Sequence, residues 1–233
     1  MQAINNTIKI TYSCQFCKKE FVKELTLESH ICEPKRRHLE IDDRGVQLGF
    51  RAFLRFFEVA AKGSRTKNYS DFVSSPYYRA FVKFGKYIIG VKAIAPEAFV
   101  DWLLKNNKKI DFWCKDSLYS EFLNQHLKVE PVADALARAI EYGIGWGESQ
   151  GMQAHDVMRY SSPNRVVFAI TTGRISAWAV YNSDSGQEFL NKLSGEHVSM
   201  VWPFIDTDFW QKKFQDNPND LVYARTMLNM AGW

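Results

Sequence analysis

Four residues near the start of the chain constrain it most: Cys14, Cys17, His30 and Cys32. The segment reads Tyr-Ser-Cys-Gln-Phe-Cys-Lys-Lys-Glu-Phe-Val-Lys-Glu-Leu-Thr-Leu-Glu-Ser-His-Ile-Cys from Tyr12 to Cys32. Two cysteines separated by two residues, followed by a His and a third Cys, match the spacing of a metal site and not that of a disulfide framework. The fourth cysteine, Cys114, stands alone beside Trp113 in an apolar stretch and reads as a packing residue.

Three residues separate Cys17 from Phe21, five separate Phe21 from Leu27, and two separate Leu27 from His30. With Tyr12 ahead of the knuckle, six positions fall in register, and the segment resembles the Cys2His2 zinc finger family of ββα type. The resemblance implies a zinc ion held by Cys14, Cys17, His30 and a fourth ligand. It departs from the family there, because Cys32 follows His30 by only two positions. Residues i and i+2 do not share a helix face, so the finger helix, expected over 24–31, must end near His30 for Cys32 to reach the metal. Pro34 agrees, since it disfavours helix at Glu33. His38 is the rival fourth ligand. Ile8, Ile10 and Tyr12 alternate as one strand of the hairpin would. Phe21 and Leu27 make a core too small to fold unaided, so zinc would supply the folding energy.

By family register the base-facing positions are Lys23, Leu25, Thr26 and Ser29. Lys23 suits guanine or phosphate, and Thr26 and Ser29 suit base edges; Leu25 reads nothing. A single finger covers about three base pairs, so sequence-specific reading by this finger alone is not expected. Lys35, Arg36 and Arg37, with His38, form a basic run able to follow a phosphate backbone.

The 233 residues carry 46% hydrophobic and 24% charged residues, as ordinary globular proteins do. A disordered or collagen-like chain is excluded. No apolar run approaches the ~18–20 residues that span a bilayer, and the first thirty residues lack a signal-peptide pattern. A soluble, cytoplasmic protein is the expectation. Net charge is +4, unevenly spread. Residues 51–92 hold nine Lys/Arg against two acids, whereas 93–233 hold thirteen against seventeen. A basic front suggests a polyanionic partner, and an acidic back suggests protein partners.

The fold is expected to be mainly α: a small ββα finger followed by a helical body. Three regions are expected, the finger and basic linker at 1–40, a basic aromatic helical domain at 41–150, and a C-terminal helical region at 151–233. Helices are read at 43–62, from Ser70, from Pro76 to Val91, at 96–104, 117–127 and 131–146. More follow from Pro163 to Gly173 and near 185–193, 206–215 and 219–230. Gly147–Ser161 reads as a loop, and 175–182 is ambiguous between strand and helix. An echo joins Asp111-Phe112-Trp113-Cys114-Lys115 to Asp208-Phe209-Trp210-Gln211-Lys212.

The segment 51–92 interleaves cations with ten aromatics, the composition of a single-strand binding platform. Phe53 and Phe57, then Tyr77, Phe81 and Phe84, keep helical spacing and read as core instead. That leaves Arg55, Arg65, Lys67, Arg79, Lys83 and Lys86 to face phosphate, with Arg79, Lys83 and Lys86 on one helix face. Phosphate-loop, dinucleotide-fold, zinc-protease and nucleophile-elbow motifs are all missing. His155-Asp156 reads as structural, and Asp43 as the cap of the next helix.

The finger, the basic linker, the stretches SPYYRAFVKFG and DWLLKNNKKID and the terminal AGW together resemble accessory proteins of large T4-like tailed phages. That resemblance implies a host-cytoplasm or virion setting. The functions that follow are a nucleic-acid-associated accessory protein, a metal-stabilised assembly adaptor, or a metal-dependent nuclease.

Overall fold

The computed structural model describes residues 11–60 and 66–233. The expectations for Ile8, Ile10, Arg65 and the end of the 43–62 helix lie outside the described residues. By internal contacts the chain divides into two compact units, Met1–Cys114 and Lys115–Trp233.

The first unit opens on a two-stranded antiparallel ribbon, β1 (Tyr12–Ser13) and β2 (Glu20–Phe21), with Tyr12 opposite Phe21. The turn between them is the Cys14–Cys17 knuckle, closed by Lys18 N–H to the Cys14 carbonyl at 2.8 Å. Lys18 takes a left-handed conformation, φ 61°, which costs an L-residue about 1–2 kcal/mol. Helix α1 (Glu24–Glu28) follows. It stops two residues before His30, as the short spacing to Cys32 requires. The basic run, read as a linker, is helix α2 (Glu33–Leu39). Glu33, where Pro34 is expected to disfavour helix, is its first residue, because Pro34 sits in the first turn where its missing N–H is harmless.

Asp43 Oδ1 then accepts from Val46 N–H at 2.9 Å and starts α3 (Arg44–Ala60). Next come α4 (Tyr69–Ser74), α5 (Tyr78–Gly90) and α6 (Pro96–Lys105). Helix α4 begins one residue earlier than read, because Asn68 and Asp71 form a reciprocal capping box. Helices α3 and α5 touch backbone to backbone: a Cβ on Gly85 would lie 2.0 Å from the Gly45 carbonyl oxygen, and one on Gly49 would lie 2.5 Å from that of Phe81. Most aromatics of 51–92 pack in or against the core beside this contact; Tyr77, read as core, is instead 47% exposed just ahead of α5. Phe53, Phe72, Tyr78, Phe81 and Phe84 are buried, and Trp113 closes the cluster against Phe56, Phe81 and Phe84. These six rings are core, not a stacking platform.

The regular elements of the second unit are all helices. It comprises α7 (Asp116–Val129), α8 (Val132–Gln150), α9 (Val157–Tyr160), α10 (Pro163–Thr171), α11 (Ala177–Asn182), α12 (Asp184–Leu190), α13 (Gly195–Ile205), α14 (Thr207–Asp216) and α15 (Pro218–Met230). The ambiguous stretch is thus helix, started by Ser176. Helix α8 runs four residues further than read. Its Gly147 is a packing position: a Cβ there would meet the Met152 carbonyl at 2.6 Å, where the chain folds back over the helix. Ile144, which helical spacing from Leu136 and Ile140 would put on the apolar face of 131–146, is exposed, and Trp146 is buried. Helix α13, unread from sequence, carries Pro203 in its interior. Trp178, Trp210 and Phe189 centre the core. Among the described residues no helix is long and apolar enough to cross a membrane.

Candidate metal centre and basic face

Cys14, Cys17, His30 and Cys32 come together, with one candidate ligand atom from each, all within 4.8 Å of one another. Cys14 Sγ lies 3.8 Å from Cys32 Sγ, and Cys17 Sγ lies 3.3 Å from His30 Nε2. It is the one group of this kind among the described residues. The knuckle supplies two thiols, the chain leaving α1 supplies His30, and Cys32 stands at the N-cap of α2. Phe21 packs on the His30 ring at 4.8 Å and fixes its orientation.

The backbone N–H groups of Cys17 and then Phe16 favour the Cys14 thiolate and pull its pKa down to about 7, against the opposing effect of burial. Cys32 is pushed up, first by burial and then by the neighbouring thiols of Cys17 and Cys14, while the Lys35 N–H opposes the rise. Crowded thiols of this kind ionise fully only when a cation joins them. The set can hold a metal ion.

His38 is not among the four clustered residues. Its Nδ1 lies 3.3 Å from the Pro34 carbonyl, and its ring packs between Phe16 at 5.0 Å and Tyr69 at 6.0 Å. It is a hydrophobic joint between the finger and α4.

The expected phosphate-facing residues divide. Lys23, Thr26 and Ser29 are exposed on or beside α1, but that helix has only five residues. The Ser29 hydroxyl donates to the Leu25 carbonyl at 3.0 Å and the Thr26 carbonyl at 3.3 Å. Lys35 Nζ donates to the His30 carbonyl at 3.1 Å, securing the loop that carries this candidate ligand. Arg37 is a docking residue. Its guanidinium donates to the Val73 carbonyl at 2.8 Å and lies over the Tyr78 ring at 4.5 Å, with the side chain 18% exposed. Arg36, Arg79, Lys83 and Lys86 are exposed, and the last three share the outer face of α5.

One residue of this surface was passed over in the sequence. Glu33 accepts from Arg37 Nε at 3.1 Å and Arg79 Nη2 at 3.2 Å on one oxygen, and from Arg36 on the other. Arg79 above all, then Arg37 and Arg36, hold its carboxyl below the usual range. An acid three and four residues before two arginines on a helix was the available signal.

The remaining candidates are structural. Asp156 pairs with Arg159 at 3.5 Å as well as His155 at 3.7 Å. His197 closes the capping box of α13 with Ser194 and contacts Asn164 at 2.8 Å. Cys114 is half-buried and burial raises its thiol pKa, which makes it a poor nucleophile. Comparison of the chain with protein-family models, with curated proteins and with solved structures finds no match.

Proposed function

We propose that this chain is a zinc-stabilised accessory protein that associates with nucleic acid through the basic surface of its first unit. The carrying observation is the exposed row Arg79, Lys83 and Lys86 on α5, joined through Glu33 to Arg36 on α2. Four cations on two rigid helices suit backbone phosphate, which is recognised by charge and position and not by sequence. Lys23 and Thr26 on the finger are secondary contacts. Zinc is the ion that best suits three sulfurs and one imidazole nitrogen, and a closed set of four protein ligands is a structural site. Bound there, zinc supplies folding energy to the finger and charge balance to three thiolates. Such thiolates persist in a reducing compartment, which supports a cytoplasmic setting. The resemblance to tailed-phage accessory proteins would make that the cytoplasm of an infected host.

The test is fluorescence anisotropy of the zinc-loaded protein with single- and double-stranded DNA and RNA oligonucleotides across a salt series. Binding that weakens steeply with salt supports the reading. No binding at low salt removes it.

A second reading, a protein adaptor, is favoured by Val198, Met200 and Trp202, which α13 leaves exposed in the acidic part of the chain, Trp202 at 45%. Nuclease-resistant co-purification with one protein, lost on Trp202→Ala, would support it.

A further inference from the structure

The surface that meets phosphate in this reading already holds an anion. Three guanidinium groups converge on the Glu33 carboxylate. They differ in freedom. Arg37 is fixed, held by Val73 and stacked on Tyr78. Arg36 and Arg79 face solvent, with side chains 56% and 76% exposed. Each guanidinium carries five N–H donors in a planar fork, so the bonds to Glu33 leave donors of both exposed arginines facing water. Glu40 gives Arg36 a further partner at 4.0 Å, while Arg79 has Glu33 as its carboxylate partner among the described residues. Glu33 is one-third exposed at the side chain, and it follows the metal-site residue Cys32 directly, so the finger sets its position.

We propose that Arg36, Arg37 and Arg79 form a phosphate cradle in which the Glu33 carboxylate is the resident counter-anion, displaced when a nucleic-acid phosphate binds. A phosphodiester offers two unesterified oxygens sharing one negative charge, as a carboxylate does, and planar guanidinium forks take either bidentately. Arg79 opens the row continued by Lys83 and Lys86, one and two turns along α5, so a phosphate in the cradle places its neighbours over those lysines. Glu33 thereby weakens binding and filters it, admitting a strand that engages the α5 row at the same time. The inference rests on the nucleic-acid reading and names its central contact.

The experiment compares the zinc-loaded full chain with Glu33→Gln, Arg79→Ala and the double variant, using the same oligonucleotides and salt series. Zinc content and thermal midpoint are measured alongside, to keep folding separate from binding. Glu33→Gln is expected to bind about five- to tenfold tighter at low salt, with a salt slope steeper by about one. Arg79→Ala, at an exposed position, is expected to bind several-fold more weakly, and to remove the gain when added to Glu33→Gln. Wild-type binding with an unchanged or weakened Glu33→Gln of normal zinc content would make Glu33 a docking bridge and overturn the cradle, leaving the nucleic-acid reading intact. Should Glu33→Gln lose its zinc or unfold, Arg79→Ala decides alone: undiminished affinity overturns the cradle. No binding by any of the four proteins removes both.

Discussion

The Arg37 guanidinium donates to the Val73 carbonyl at 2.8 Å, and Tyr69 returns a hydrogen bond from its hydroxyl to the Arg37 carbonyl at 2.8 Å. This exchange fastens α2, the helix that follows the last metal-site residue, to α4 of the helical body. Arg37→Ala removes the Val73 and Glu33 bonds and the Tyr78 stacking together. Stability is expected to fall by about 1–3 kcal/mol. Arg37→Lys should recover little, because an ammonium cannot serve two acceptors in the plane of a fork. Urea unfolding of the zinc-loaded variants measures both.

The metal site separates Cys32 from His38 as fourth ligand. The purified protein is expected to carry one zinc per chain. Cys32→Ala should lose it under mild chelation, whereas His38→Ala should keep it and lose only packing against Phe16 and Tyr69. Elemental analysis with cobalt substitution reads ligand loss directly; zinc loss on His38→Ala would reverse the assignment.

Gly85 is expected to resist any side chain. Its Cβ would fall 2.0 Å from the Gly45 carbonyl oxygen, a backbone atom that cannot swing aside. Gly85→Ala should lose about 2–3 kcal/mol or fail to fold. Gly90→Ala, on the same helix with open space at its Cβ, should be neutral or slightly stabilising. Thermal midpoints of the two compare them within one helix.

His126 gives the second unit a pH dependence. Burial holds its pKa below the ordinary 6.5, with Arg138 adding to the fall and Glu130 opposing it; its ring stacks on Phe122 at 4.9 Å. As pH drops below 6.5 the unfolded chain takes up a proton that the folded one refuses. Stability contributed by neutral His126 is therefore complete above 6.5 and is lost as pH falls toward the lower folded value. Wild type and His126→Gln, compared by urea midpoint from pH 7.5 to 5, should differ in slope over that window, with the variant flatter. Parallel slopes would remove His126 from the acid response.

Much of this was legible from local pattern. The Cys3His cluster could be read because its spacing is short and its residue types are the usual ligands of a metal site. The echo between Trp113 and Trp210 also proved physical. Both indoles are buried, and each donates to a carbonyl a few residues upstream, Lys108 at 2.9 Å and Phe204 at 2.8 Å, with an exposed Phe112 or Phe209 beside it. What pattern missed depends on distant partners. Gly45, Gly49 and Gly85 look like helix weakeners until α3 and α5 are laid together, and Gly147 looks like a loop until Met152 returns over it. Pro203 hid α13. Arg37 and Lys35 looked like free cations, because nothing local announces the carbonyls that take them.

The most direct measurement is anisotropy of Arg79→Glu/Lys83→Glu/Lys86→Glu beside Lys23→Glu, with one oligonucleotide across a salt series. With phosphate on α5, the triple variant should lose more than tenfold in affinity and its salt slope should flatten by about two to three. Lys23→Glu should change both only slightly. Undiminished binding by a folded, zinc-loaded triple variant would contradict the account.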